Sequence, residues 1–350
     1  MPESFFSVSR RDQADALGVA ASRSGRPVHL LEKDVWVVWA LETLFAAPLG
    51  DHLVFKGGTS LSKAYAVITR FSEDVDLTYD IRVIAPDLAK PGSEGLPANP
   101  SQEQTWTKII TARLDEWIAQ IVVPVLETRT SELGLAAHVA VKGATVTVTY
   151  EALASGTGYV RPVVLLEFGA RSTGEPSERR HVTCDAAAHV PQLVFPSAMP
   201  SAMRPERTFW EKATAIHVFC LGGRLRGDGR VSRHWHDIVA LDHTRHAAAA
   251  IAEHDLADRV ARHKNAFFRE KDGSGRFIDY IDAVRGHLQL VPTGRRLALL
   301  EEDYVRMVDD GLLLGTSPTF DAIVERCRDI QQRASRGSGR WSSPSSVSTA

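Results

Sequence analysis

Cysteine is scarce: Cys184, Cys220 and Cys327 are the only three in 350 residues, and they lie far apart. An odd, scattered set excludes a disulfide framework, supplies no metal-binding spacing and points to a reducing compartment. No uninterrupted apolar run reaches bilayer-spanning length, and the stretch from Met1 to Arg10 lacks a basic segment followed by an apolar one. A soluble, cytoplasmic protein without a membrane partner is the expectation. A dominant charge is missing too, with 41 basic against 43 acidic side chains, so no global field advertises a nucleic-acid partner. A local basic patch remains available where Arg224, Arg226, Arg230 and Arg233 crowd one short stretch. There is also no Gly-x4-Gly-Lys-Ser/Thr loop, which excludes a Walker-type nucleotide site. The hydrophobic content of 44 % suffices for one large core or two moderate ones.

Against these absences one constellation stands out. Gly57-Gly58-Thr59-Ser60 is followed, fourteen residues after Ser60, by Asp74 and Asp76 at the end of Arg70-Phe71-Ser72-Glu73-Asp74-Val75-Asp76. Val54-Phe55 reads as a short buried strand, and Leu61, Ala64, Tyr65 and Ile68 form a helical apolar stripe. The unit is therefore strand, glycine turn, helix, then a strand with paired acids. Residues two apart on a strand share a face, so Asp74 and Asp76 would aim their oxygens at one point. Two carboxylates that close call for a cation, and Mg²⁺, which takes one or two carboxylates plus waters and substrate phosphates, suits phosphoryl or nucleotidyl transfer. Taken singly, Gly-Gly is an ordinary turn signal and Asp-x-Asp an ordinary solvated strand edge.

Helices are expected from about Arg11 to Ala21 and from Leu31 to Leu41, and again from Ser101 through Ile121, where Ser101 and Gln104 fit a capping box. Residues 86 to 102 form a loop rich in helix breakers, either a mobile lid or an exposed connection. Strands are expected at Ala137 to Val141, Thr145 to Tyr150, Val163 to Phe168 and Arg180 to Thr183. The four prolines from Pro191 to Pro205 mark an internal boundary, beyond which the pattern is helical almost throughout. The expected division is 1–200, 201–334 and a Ser/Gly-rich disordered tail, 335–350.

Three further candidates carry chemistry. Glu167 interrupts the apolar run Val163 to Phe168, a costly place for a carboxylate unless it binds metal with Asp74 and Asp76 or pairs with Arg171 or Arg180. Lys212, early in a helix, is either a solvated surface lysine or a point charge for a triphosphate. In Arg233-His234-Trp235-His236-Asp237 the histidines are two apart and diverge on a helix, which argues against zinc. Asp237 would orient Lys212 or a substrate hydroxyl, or pair with Arg233.

Together, Lys56-Gly57-Gly58-Thr59-Ser60-Leu61-Ser62-Lys63-Ala64-Tyr65, Arg70 to Leu77, Leu166 to Arg171, Glu206 to Lys212 and Arg233 to Asp237 resemble the AbiEii/AbiGii nucleotidyltransferase toxins of bacterial abortive-infection and toxin–antitoxin systems. Glu32-Lys33-Asp34 fits the same pattern. The resemblance implies an α+β fold: a nucleotidyltransferase-type mixed sheet with flanking helices in an N-terminal domain, then a helical domain closing the nucleotide cleft. It implies a nucleoside triphosphate substrate with Mg²⁺, transfer to an acceptor such as the acceptor end of tRNA with a block of translation, and a cognate antitoxin. By position, Gly57, Gly58, Thr59 and Ser60 would contact phosphates, Asp74 and Asp76 would hold metal, and Lys212 would grip the triphosphate. Asp237 matches the late acidic motif and Glu167 the strand acid. A non-catalytic nucleotide-binding protein and a metal-dependent phosphohydrolase built on His234 to Asp237 are the alternatives.

Overall fold

The computed structural model describes residues 2–72, 74–154, 161–223, 230–309, 313 and 318–336. It divides into two compact units, one of residues 1–66 and 71–204, the other of 67–70 and 205–350. Arg224, Arg226 and all but two residues of the expected tail lie outside the described residues.

The first unit is built on a seven-stranded mixed sheet. Its strands are β1 (Leu53–Lys56), β2 (Asp74–Asp80), β3 (Ala137–Lys142), β4 (Thr145–Tyr150), β5 (Val163–Ser172), β6 (Ser177–Arg179) and β7 (Ser201–Met203). The spatial order is β3-β4-β5-β2-β1-β7-β6, with β2 parallel to β5, β7 parallel to β1, and every other pair antiparallel. Phe55, Leu77 and Phe168 stand in register across β1, β2 and β5 and are buried. The next row, Lys56, Asp76 and Glu167, faces the other way and stays partly open, because successive side chains on a strand alternate.

Helices α1 (Arg10–Ser24) and α2 (Val28–Ala46) precede β1. In α2 everything from Leu30 to Leu41 is buried, which explains an apolar run too continuous for a surface helix. After β1 comes α3 (Gly57–Lys63), shorter than the apolar stripe to Ile68 predicts. The chain leaves the helix there, Ala66 taking φ 51°, and the next four residues join the second unit, where Ile68 is buried and Arg70 finds its partner. β2 ends at Asp80, and Ile81 opens a single helical turn. Helix α4 (Pro100–Trp117) starts ahead of the expected capping box: Asn99 is its cap, accepting from the Gln102 N–H at 2.9 Å. A π turn at Ile118–Val122 then leads into α5 (Val123–Glu132).

The second unit is helical: α6 (Pro205–Cys220), α7 (Arg233–Asp242), α8 (His246–Ala252), α9 (His254–Phe267), α10 (Arg295–Asp309) and α11 (Phe320–Arg336), with short turns between. Trp210 and Trp235 are its main anchors. Their indole N–H groups donate to the carbonyls of Ala250 (2.9 Å) and Leu290 (2.7 Å). Buried indoles placed this way gain area without stranding a donor.

Candidate active site

The glycine turn and the paired acids meet in the first unit. β1 delivers Lys56 beside Asp76, and parallel pairing of β2 with β5 places Glu167 opposite Asp76, so Asp74, Asp76 and Glu167 share one sheet face. Lys56 Nζ lies 3.7 Å from Asp76 Oδ1, offsetting part of the repulsion between neighbouring carboxylates. Gly57 has φ 79°, and a Cβ there would stand 2.1 Å from Asp76 Oδ2. Only glycine lets the turn lie against that carboxylate, since both the left-handed backbone and the contact reject a side chain.

Thr59 and Ser60 are buried. The Thr59 hydroxyl donates to the Asp74 carbonyl, and Ser60 Oγ donates to the Gly57 carbonyl at 3.0 Å. Thr59 thus stitches the turn to the acid strand, and the two hydroxyls hold the loop's shape. Glu167 corrects an expectation. It lies on the exposed side of β5 while Val164, Leu166 and Phe168 are buried, so the desolvation cost assumed for a carboxylate in that apolar run does not arise. Arg180, one expected partner of Glu167, pairs with Glu178 at 2.7 Å. Among the described residues no three His, Cys, Asp or Glu side chains gather closely enough to hold a metal, so the acid row offers an open pair and not a closed cage. Asp74 and Asp76 nonetheless fit Mg²⁺ as a donor set: hard oxygens on one face, few enough to leave positions for water and phosphate.

The second unit has its own polar centre. Asp237 is fully buried, and Arg70 grips it with two bonds, Nε to Oδ1 at 2.7 Å and Nη2 to Oδ2 at 2.8 Å. Lys212 Nζ lies 2.9 Å from Oδ2, and His236 Nδ1 is 3.4 Å from Oδ1. Burial would raise the Asp237 carboxyl, but the Arg70 and Lys212 charges prevail and hold it well below its ordinary value. Burial is also the main cause that lowers the Lys212 ammonium. Lys212 is therefore not a solvated surface lysine. Two cations on one carboxylate leave a net positive centre. Burial, with the Lys212 and Arg233 charges, keeps His234 neutral at physiological pH. A divalent cation beside His234 and His236 would face these positive charges, which removes the physical basis for a hydrolase centre there. Arg70 is the residue that the sequence pattern missed: it reads as the front of the acid motif, and its partner is 167 residues away.

A model of the AbiEii nucleotidyl transferase toxin family, a type IV toxin–antitoxin system, matches residues 39–326. The chain belongs to that family. It is accordingly a nucleotidyltransferase. Among solved structures it is similar to MenT4, a nucleotidyltransferase toxin from Mycobacterium tuberculosis H37Rv, at 18 % identity over 94 % of this chain and 99 % of that one, with a TM-score of 0.38. No curated protein gives a significant match. No helix among the described residues is long and apolar enough to cross a membrane.

Proposed function

We propose that this AbiEii-family protein transfers a nucleotide from a nucleoside triphosphate, with Mg²⁺, to an RNA acceptor such as the acceptor end of tRNA, and so stops translation. The observation that carries the reading is the row of Lys56, Asp76 and Glu167, with Asp74 on the same face and Gly57 pressed against Asp76. Asp74 and Asp76 are the residues that would hold the ion, with Glu167 adjacent. When bound, Mg²⁺ would neutralise charge on the phosphate oxygens. Gly57 and Gly58 offer backbone N–H groups to phosphate oxygens at the start of α3, while Thr59 and Ser60 fix the turn through their hydroxyls. Within the helical unit Asp237, itself gripped by Arg70, holds the Lys212 ammonium in place, and the family resemblance gives that ammonium the role of a triphosphate ligand. The reaction is in-line attack of an acceptor hydroxyl on the α-phosphorus: an O–P bond forms, the bond to pyrophosphate breaks, and positioning does most of the work.

The RNA acceptor, the cytoplasmic location and the cognate antitoxin rest on kinship with a toxin–antitoxin family. Arg230 and Arg233 add local positive charge of the kind RNA contacts use. The test is incubation of the protein with total RNA and each labelled triphosphate. Wild type should label one RNA class with one nucleotide. A soluble, folded Asp76→Ala variant that still incorporated label would overturn the proposal.

A further inference from the structure

Glu32, Lys33 and Asp34 form a charged triplet inside the otherwise apolar Leu30–Leu41 stretch of α2, and all three are buried. Each reaches a different part of the first unit. Glu32 accepts from the Leu153 N–H at 2.8 Å, and Lys33 Nζ donates to the Arg161 carbonyl at 3.4 Å. Asp34 Oδ1 lies 2.6 Å from the Nζ of Lys63, the last residue of α3. The same ammonium is 2.7 Å from Asp185 Oδ1. Asp185 is itself held, its N–H donating to Asp34 Oδ2 at 2.6 Å and its carboxylate taking the Arg26 guanidinium. Lys63 therefore stands between two carboxylates on two other segments, with only 8 % of its side chain exposed.

A seven-residue helix cannot hold its own direction, because helices this short are marginal without tertiary support. The contacts that hold α3 include the buried Leu61, the Thr59 hydroxyl on the Asp74 carbonyl, and the Lys63 clasp. A buried ion cluster is a poor source of net stability compared with apolar packing, so a geometric role accounts for it better. We infer that Lys63, clasped by Asp34 and Asp185, is a positioning residue that sets the Gly57–Ser60 turn against the acid strand. Its value for nucleotide binding rests on the function proposed above; its value for the turn does not.

Two variants separate this role from plain stability. Asp185→Asn removes one arm and keeps the Asp34–Lys63 pair. The double variant Lys63→Met, Asp34→Leu replaces the pair with apolar volume and should keep the unit folded. Hydrogen exchange of the 57–61 amides in the full chain should quicken by about tenfold in both, with the β4–β5 amides unchanged. KM for the triphosphate should rise about tenfold with kcat held within about threefold, and calorimetry with Mg²⁺ and each triphosphate should show the same loss of affinity. Unchanged exchange at 57–61 in Asp185→Asn would overturn the inference, as would faster exchange spread evenly over the unit. If wild type bound no triphosphate while exchange at the turn quickened as expected, the nucleotide reading would fall and the role of Lys63 would stand.

Discussion

Adding one methyl group at Gly57 tests the centre of the proposed site. The backbone there has φ 79°, a conformation that costs an L-residue about 1–2 kcal/mol. For a unit of this size that corresponds to a drop of about 2–8 °C in melting temperature, which leaves the protein folded at room temperature. The larger effect is local. The new Cβ would meet Asp76 Oδ2 at 2.1 Å, and ordinary contact begins at 3.4 Å, so the carboxylate must retreat by about 1.3 Å. A catalytic group displaced by that distance costs on the order of 100-fold in rate. Gly57→Ala should therefore lose about two orders of magnitude in pyrophosphate release while melting only slightly earlier. Activity within threefold of wild type, measured in parallel with a thermal melt, would refute the role assigned to Asp76. Complete unfolding would refute the claim that the turn bears on chemistry more than on the fold.

Asp237→Asn should destabilise the helical unit by about 3–5 kcal/mol in urea denaturation, because Arg70 and Lys212 would be left without a counter-charge in a buried place. The carboxyl of Asp237 is depressed when folded, so its contribution is intact above its ordinary value of 3.8 and is lost only as pH falls through the lower folded value; stability from this group should be flat between about pH 5 and 8. His217 behaves differently. Its Nδ1 accepts from the Gln289 N–H at 3.0 Å, and burial lowers it from 6.5 to about 4. A depressed folded value means full stability above pH 6.5 and a loss approaching about 3 kcal/mol as pH falls to about 4. Denaturation curves at pH 7.5 and 4.5 should show that slope in wild type and a shallower one in His217→Gln. Asp242→Asn, which releases Arg326 (2.5 Å) and Arg333 (2.6 Å) of α11, should cost only about 1 kcal/mol, because both guanidinium groups are a third or more exposed.

The strand, glycine turn, helix and acid strand were legible because each is local: a short apolar run, a backbone that must bend, and acids at the period of a strand. Glu167 was legible as an acid on a neighbouring strand, but its exposure was not, since apolar Leu165 and Leu166 lie on opposite faces of β5 and composition alone cannot tell them apart. Helix ends shifted where a side chain competed for the cap, as Asn99 does ahead of Ser101. Within the helical stretch after Arg233 the chain forms two helices, α7 and α8, with a break around His243 that the helical pattern does not announce. What stayed illegible depends on distant pairing. The Arg70–Asp237 contact and the Asp34–Lys63–Asp185 clasp join residues far apart in sequence, and no local period announces them.

The stretch from Arg70 to Asp76 looks like one word and is spelled by two machines. Its first letter secures a carboxylate within the helical unit, and its two aspartates, Asp74 and Asp76, point from the sheet of the other. Mutating the block as a whole would mix collapse of a folded core with loss of catalysis. Only single changes, with melting followed beside turnover, can attribute a dead variant to the right cause.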